Sequence, residues 1–428
     1  LLFWNLAGRS DRTLNIGILT IGDELTSGRI QNTNAAWLAA QLHREGWHIA
    51  TLLSVGDDEA AICRALDFLP DHCNAVIVTG GLGPTPDDIT AEAVAKACGL
   101  LLVKNEQVLT ALRNRFEACS FHWSASDARM ALFPEGAEII PNPVGSAAGF
   151  SLTHRGCLFI VLPGVPAEAT RMFTDSVMPR LKSLDPAPPR TVVTRTLKFF
   201  GIGESDIEDR IRSLVPQDGM VQIGYYPQFP EVHLVLTARH AEAEKAQRNL
   251  QIAEGAITET LKAHLLGRDD ETLAGVVGTL LTEKGLTLAV AESCTGGLIA
   301  DLLTDVSGSS RYVERGVVTY SNTSKTALLG VPEFILVEFG AVSEPTAKYM
   351  AEGIRSSAGV DLGLSTTGIA GPTGAVPGKP VGTVFIAVAG PHGTICRHFS
   401  FHRERRKVKL ATTYAALMLL REYLRPAP

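Results

Sequence analysis

At 428 residues, 45% hydrophobic and 20% charged, the chain is long enough for about two to four globular domains rather than one core. A formal net charge of −6 gives no global attraction to nucleic acid or to an anionic membrane, and no apolar run reaches the roughly 18 residues that a span requires. The seven cysteines (Cys63, Cys73, Cys98, Cys119, Cys157, Cys294 and Cys396) are odd in number, scattered and never spaced C-x-x-C. That pattern argues against a zinc site or a disulfide framework and for the reduced thiols of a cytosol.

The opening "LLFWNLAGRSDR" has no basic n-region and no small-residue cleavage site, so it is expected to be a leader, residues 1–13, and not a signal peptide. Next, "NIGILTIG" (15–22) is a β-branched run ending in glycine, as a buried parallel strand would be. The stretch "TNAAWLAAQLHREG" (33–46) puts Trp37, Leu38 and Leu42 on one helical face and stops at Gly46. Strand "WHIATLLSV", helix "DEAAICRALDFL" and strand "NAVIVTGG" continue the alternation, and "CLFIVLPG" (157–164) with a helix opened by Pro166 extends it.

The prolines of "LDPAPPR" (184–190) mark a stiff linker. Beyond it the order strand, helix, strand, strand, helix resembles a KH-type module. Its "GIGE" (201–204) lacks the G-x-x-G clamp for a nucleic-acid backbone, so RNA binding is not expected. From about Asp269 a second α/β unit begins and runs to a terminal helix at 405–424. The expected fold is α/β: two separate domains with largely parallel sheets, at 14–185 and 268–428, joined by a small α+β KH-type module at 186–267.

Two acidic, glycine-containing turns follow strands in the first domain, at the sheet edge where open parallel sheets bind ligands. "TIGDELTSGRIQNTN" (20–34) supplies Asp23, Glu24 and Asn34, and "TGGLGPTPDDIT" (79–90) supplies Gly80, Gly81, Gly83, Thr85, Asp87 and Asp88. The glycines suit backbone approach to a phosphate, and Asp87 with Asp88 are candidate ligands for a divalent metal. Equally, either aspartate suits a helix cap and the glycines a simple turn. Together with "NPVGSAAGF" (142–150) and "LPGVPAE" (162–168), these turns resemble the molybdopterin-binding-like domain of CinA-family proteins. The resemblance implies a phosphate-bearing nucleotide ligand and, in one account of the family, a metal-dependent ADP-ribose pyrophosphatase.

In the last domain "TLAVAESCTGG" (287–297) lines up Ser293, Cys294 and Thr295 where an apolar run meets two glycines. Ser293 reaches the end of a strand, and the free N–H groups around Thr295, Gly296 and Gly297 offer an oxyanion site at a helix start. Cys294 is expected on the opposite face, packed as a small apolar residue, and Thr295 as a cap or a substrate hydrogen bond. "VVTYSNTSK" (317–325) offers Tyr320 at a strand end and Lys325 at a helix start, where a desolvated lysine can act as a base. The loop "STTGIAGPTGAVPGKPVGT" (365–383), with Gly368, Gly371 and Lys379, suits close contact with a ligand, and Lys379 is a candidate phosphate ligand. The basic run "HRERRKVK" (402–409) is expected to form a solvated face.

"AESCTGG", "GSSRYVERGVVTYSNTSK", "GAVSEPTA" and "GIAGP…KPVGT" closely resemble the C-terminal CinA domain, a nicotinamide-nucleotide amidase. The resemblance implies hydrolysis of nicotinamide mononucleotide to nicotinate mononucleotide and ammonia in pyridine-nucleotide recycling, without a metal or redox cofactor. It places the nucleophile on Ser293, the lysine on Lys325 and the tyrosine on Tyr320, and implies a homodimer with small-molecule nucleotide substrates. Two other readings stand beside it: a primary N-terminal pyrophosphatase, and a non-enzymatic competence-associated binding protein.

Overall fold

A computed structural model describes residues 14–185, 191–214 and 220–425, so the expected leader and the prolines of the linker lie outside the described residues. The described residues fall into two compact units. One runs to Val193 and takes in Arg239–Ala246; the other comprises Thr194–Ala238 and the chain from Gln247 onward.

The first unit holds β1 (Asn15–Ile21), β2 (His48–Val55), β3 (Ala75–Thr79), β4 (Leu102–Lys104), β5 (Leu132–Pro134), β6 (Glu138–Ile140), β7 (Gly149–His154) and β8 (Cys157–Leu162). Its main sheet has the order β2-β1-β3-β8-β7-β6, parallel through β8 and antiparallel beyond it, while β4 and β5 form a separate ribbon. Strands β1, β3 and β8 read as continuous apolar runs because both sheet faces are covered. Alternation divides them between two cores: Leu19, Ile21, Val76, Val78 and Phe159 face one way, Ile16, Ile18, Ile77 and Ile160 the other. The loops after β1, β3 and β8 therefore emerge at one edge, the carboxyl ends of parallel strands.

The KH-type module contributes β9 (Thr191–Phe200), β10 (Val221–Gln228), β11 (Glu231–His240) and β12 (Leu265–Arg268), in the sheet order β10-β11-β9-β12. Strand β12 departs from the expected order. The helix before it closes at Thr260, and the short "LLGR" adds a strand that pairs antiparallel with β9.

The last domain builds β13 (Leu288–Glu292), β14 (Val313–Val318), β15 (Leu362–Gly368), β16 (Thr383–Gly390) and β17 (Gly393–Ser400), ordered β14-β13-β15-β16-β17. The trio β14, β13 and β15 is parallel, and β16 and β17 close the sheet as an antiparallel hairpin. "GTICRHFS" is strand β17, an edge strand whose mostly exposed residues hide any apolar alternation. Leu288, Val290, Leu364, Val384 and Ile386 pack under the helix Arg405–Leu424, and Ala289 and Ala291 face Met350 and Ile354. Among the described residues no helix is long and apolar enough to cross a membrane.

Candidate active site

Strand β13 ends at Glu292, so Ser293 is the first residue past the central strand. Its N–H donates to Thr366 O at 3.0 Å, which fixes the turn against β15. Ser293 is 8% exposed, and Lys325 Nζ lies 3.1 Å from its Oγ. Lys325 sits in the helix Asn322–Leu329, is 1% exposed, and donates to Thr319 O at 2.7 Å and Tyr320 O at 3.5 Å. Among the described residues no carboxylate pairs with it. Burial therefore pulls its pKa below the ordinary lysine value, opposed only by the Cys294 thiol.

The strand end also fixes its neighbours. The Glu292 side chain is buried and lies across the start of the helix Leu298–Thr304. Its Oε2 accepts from Gly297 N at 2.9 Å and Ile299 N at 3.2 Å, and its Oε1 from Ala300 N at 2.9 Å. This corrects the expected role of Gly297: its N–H is committed to Glu292 and is not free for an oxyanion. The N–H groups of Thr295 and Gly296 carry no hydrogen bond among the described residues. Gly296 and Gly297 both have positive φ, 62° and 98°, which favours glycine at each.

Thr295 is likewise corrected. Its hydroxyl is fully buried and shares a 2.8 Å hydrogen bond with Thr366 Oγ1, so it braces the turn from inside. Cys294 packs in the core beneath the sheet, and burial pushes its thiol up to about 12. A Cβ on Gly368 would stand 3.1 Å from Cys294 Sγ and 2.9 Å from Thr383 O, so this glycine serves packing.

Tyr320 lies two residues beyond β14 and is 62% exposed. It meets Lys325 through its backbone carbonyl, whereas its hydroxyl accepts from Arg405 Nη2 at 2.7 Å. Arg405 also donates from Nη1 to Gly371 O at 2.7 Å and so ties the glycine-rich loop to Tyr320. Lys379 donates to Phe339 O at 2.7 Å, a contact that spends one of its protons on backbone. The sequence reading missed Glu292, Thr319, Thr366, Arg405 and Lys409. Lys409 is half-buried, with Nζ 3.3 Å from where a Gly296 Cβ would stand.

In the first unit the strand-end loops enclose a cleft of about 720 Å³ lined by Gly22, Glu24, Asp57, Gly80, Gly81, Gly83, Asp87, Asp88, Arg115 and Glu168, among others. Asp23 is tied to the loop after β2: its N–H donates to Asp57 Oδ2 at 2.8 Å, and its Oδ1 accepts from Asp57 N at 3.1 Å. Asn34 braces the wall by donating to Gly164 O at 2.7 Å. Gly80, at φ 110°, is required because a Cβ there would stand 2.1 Å from Ile21 O. Asp88 Oδ2 accepts from Thr85 N at 2.9 Å and Thr85 Oγ1 at 2.5 Å, the turn-capping use. Burial, with Asp23, Glu24 and Asp87 nearby, raises the Asp57 pKa against the hydrogen bond that it accepts. Among the described residues no three His, Cys, Asp or Glu side chains converge as a metal site.

The chain matches three family descriptions in order: "Probable molybdopterin binding domain" over residues 17–183, "Damage-inducible protein CinA KH domain" over 194–267 and "CinA C-terminal domain" over 270–424. A CinA-like protein of Syntrophus aciditrophicus (strain SB) is 54% identical over 412 residues, 96% of this chain and 98% of that protein. One of Geobacter sp. (strain M21) is 44% identical with the same coverage. Among solved structures, the competence/damage inducible protein CihA from Agrobacterium tumefaciens is 41% identical over 36% of this chain and 93% of that one, with a TM-score of 0.35. The chain belongs to the CinA family.

Proposed function

We propose that the C-terminal domain is a nicotinamide-nucleotide amidase that hydrolyses the carboxamide of nicotinamide mononucleotide to the carboxylate and ammonia. The observation that carries this reading is the buried 3.1 Å contact between Lys325 Nζ and Ser293 Oγ. A neutral amine has two N–H groups and one lone pair. With Thr319 O and Tyr320 O taking the N–H groups, the lone pair is left for the Ser293 hydroxyl proton.

In the proposed reaction Ser293 Oγ attacks the amide carbon as its proton passes to Lys325. The N–H groups of Thr295 and Gly296 hold the oxyanion, ammonia leaves with the proton returned by Lys325, and water cleaves the acyl-serine. The substrate's pyridinium withdraws electrons from the amide and helps the attack. Cys294 takes no part, because its thiol is buried and held protonated.

Ammonia release from nicotinamide mononucleotide tests the reading with the parent protein, Ser293→Ala and Cys294→Ala. The serine variant is expected to lose at least about a thousandfold in kcat, and the cysteine variant to keep its activity. Loss confined to the cysteine variant moves the nucleophile, and an inactive parent ends the amidase reading.

The N-terminal cleft supports nucleotide binding by its place at the carboxyl ends of β1, β3 and β8 and by its glycine backbone. Its carboxylates face a single lining guanidinium, Arg115, so no pyrophosphate cleavage is assigned to these side chains.

A further inference from the structure

The second unit holds a cavity of about 530 Å³ that shares no lining residue with the Ser293 turn. Four elements contribute to it: Glu231 from the β10–β11 hairpin, the start of the helix Leu273–Lys284, the end of the helix Leu298–Thr304 and Tyr414 of the last helix. Its chemistry is one-sided. Leu273, Val276, Leu302 and Val306 make its walls apolar, and its charged lining residues are the carboxylates Glu231, Asp270, Glu271 and Asp305. Among the described residues no lysine, arginine or histidine lines it.

Two of these carboxylates are already used. Glu231 accepts from Tyr414 at 2.9 Å and contacts His233 at 2.5 Å, and Glu271 accepts from Arg268 N at 2.8 Å. Asp270 and Asp305 have no ion pair and no hydrogen bond to their carboxylates among the described residues. Asp270 at least precedes a helix start, whose dipole it suits. Asp305 caps the carboxyl end of the helix Leu298–Thr304, where the dipole favours a cation and the last turn holds none. A second unmet group lies along the same wall. Tyr312 is 3% exposed, and its hydroxyl has no hydrogen-bond partner among the described residues, a destabilising arrangement. That hydroxyl stops against Gly278, 2.4 Å from where a Cβ would stand, and Gly275 and Thr279 on either side of it along the helix line the cavity.

We propose that this cavity binds a linear aliphatic polyamine, with ammonium groups at Asp305 and Asp270, methylenes along the apolar walls and a further N–H group on the Tyr312 hydroxyl. Methylene stems between charged ends match walls of this kind, as long cationic side chains do on protein surfaces. A bare metal ion would leave those walls unfilled, and no three acidic side chains converge to hold one among the described residues. An occupant touches the β10–β11 hairpin and the C-terminal domain at once, so it ties the KH-type module to that domain. The site stands apart from the amidase reading and does not rest on it.

Calorimetric titration of the full chain with spermidine reads the site directly, with circular dichroism to check the folding of each variant. One saturable site per chain is expected. Its affinity is expected to fall about tenfold in the double variant Asp270→Asn, Asp305→Asn, as the loss of two solvent-exposed charge pairs gives. It should fall in Tyr312→Phe as well. Glu333→Gln removes a carboxylate outside the cavity and is expected to leave the affinity unchanged, which separates a built site from the pull of net negative charge. Absent or unsaturable binding, an unchanged affinity in the double variant, or an equal loss in Glu333→Gln overturns the site. Magnesium chloride at the spermidine concentration is expected not to displace the amine; displacement would make this a simple cation site and overturn the polyamine assignment. An unchanged affinity in Tyr312→Phe overturns the contact with that hydroxyl.

Discussion

Lys325 is the residue whose environment most directly sets the chemistry. It is buried, has only oxygen acceptors of neutral groups around its Nζ, and titrates below an ordinary lysine. A base must be unprotonated to act, so kcat/KM is expected to rise with pH through the lowered Lys325 pKa and to level off above it. Lys325→Arg keeps a permanent charge and is expected to lose the reaction at every pH. The same burial has a sign in stability. Between the folded pKa and about 10.4 in the unfolded chain, the unfolded state binds more protons, so stability rises with pH across that window. The penalty is full below the folded pKa and gone above the unfolded one. Lys325→Met is therefore expected to melt higher than the parent at neutral pH, with an advantage that shrinks toward pH 10. A constant difference across a pH series of melting temperatures would sink this account.

At the scale of elements, the turn between β13 and the helix Leu298–Thr304 depends on one carboxylate. Glu292 satisfies three helix-start N–H groups with two oxygens, and its carbonyl accepts at 2.8 Å from the N–H of Thr319, the residue whose own carbonyl anchors Lys325. Glu292→Ala leaves buried donors unmet and is expected to cost about 2–4 kcal/mol in urea unfolding. Glu292→Gln keeps an acceptor and should cost less, with kcat falling more than KM rises in either variant. Unchanged stability in the alanine variant would show the cap to be dispensable. This is also where the sequence stopped being legible. The central strands were plain because burial on both faces leaves unbroken apolar runs, and Ser293 and Lys325 were named through the resemblance of their motifs. The partners of those residues come from other elements: Thr366 from β15, Thr319 from beyond β14, Arg405 and Lys409 from the last helix. No local periodicity reports which of two side chains will face a turn folded from distant chain. Tyr320 shows the limit well, since neighbouring position predicted a hydroxyl beside the lysine and folding supplied a carbonyl.

Across the whole molecule, most of the KH-type strands share a compact unit with the C-terminal domain, and the helix Arg405–Leu424 makes hydrogen bonds to them. Arg421 is 7% exposed and donates to Leu265 O at 2.5 Å and Leu266 O at 3.3 Å without a carboxylate partner, so burial draws its pKa down to about 10. Nearer the site, Tyr414 donates to Glu231 Oε1 at 2.9 Å on the β10–β11 hairpin. The module thus braces the helix whose first two turns carry Arg405 and Lys409. Arg421→Ala removes the guanidinium from two buried carbonyls and is expected to destabilise this unit by about 2–4 kcal/mol. A built-in probe separates the units: Trp37, Trp47 and Trp123 all lie in the first one, and the second contains no tryptophan. Each unit has its own core, so Arg421→Ala should lower the temperature at which amidase activity is lost while leaving the tryptophan fluorescence transition where it was. A tryptophan transition that moves down in step with the loss of activity would mean instead that the two units unfold as one, and that bracing by the last helix extends to the whole chain.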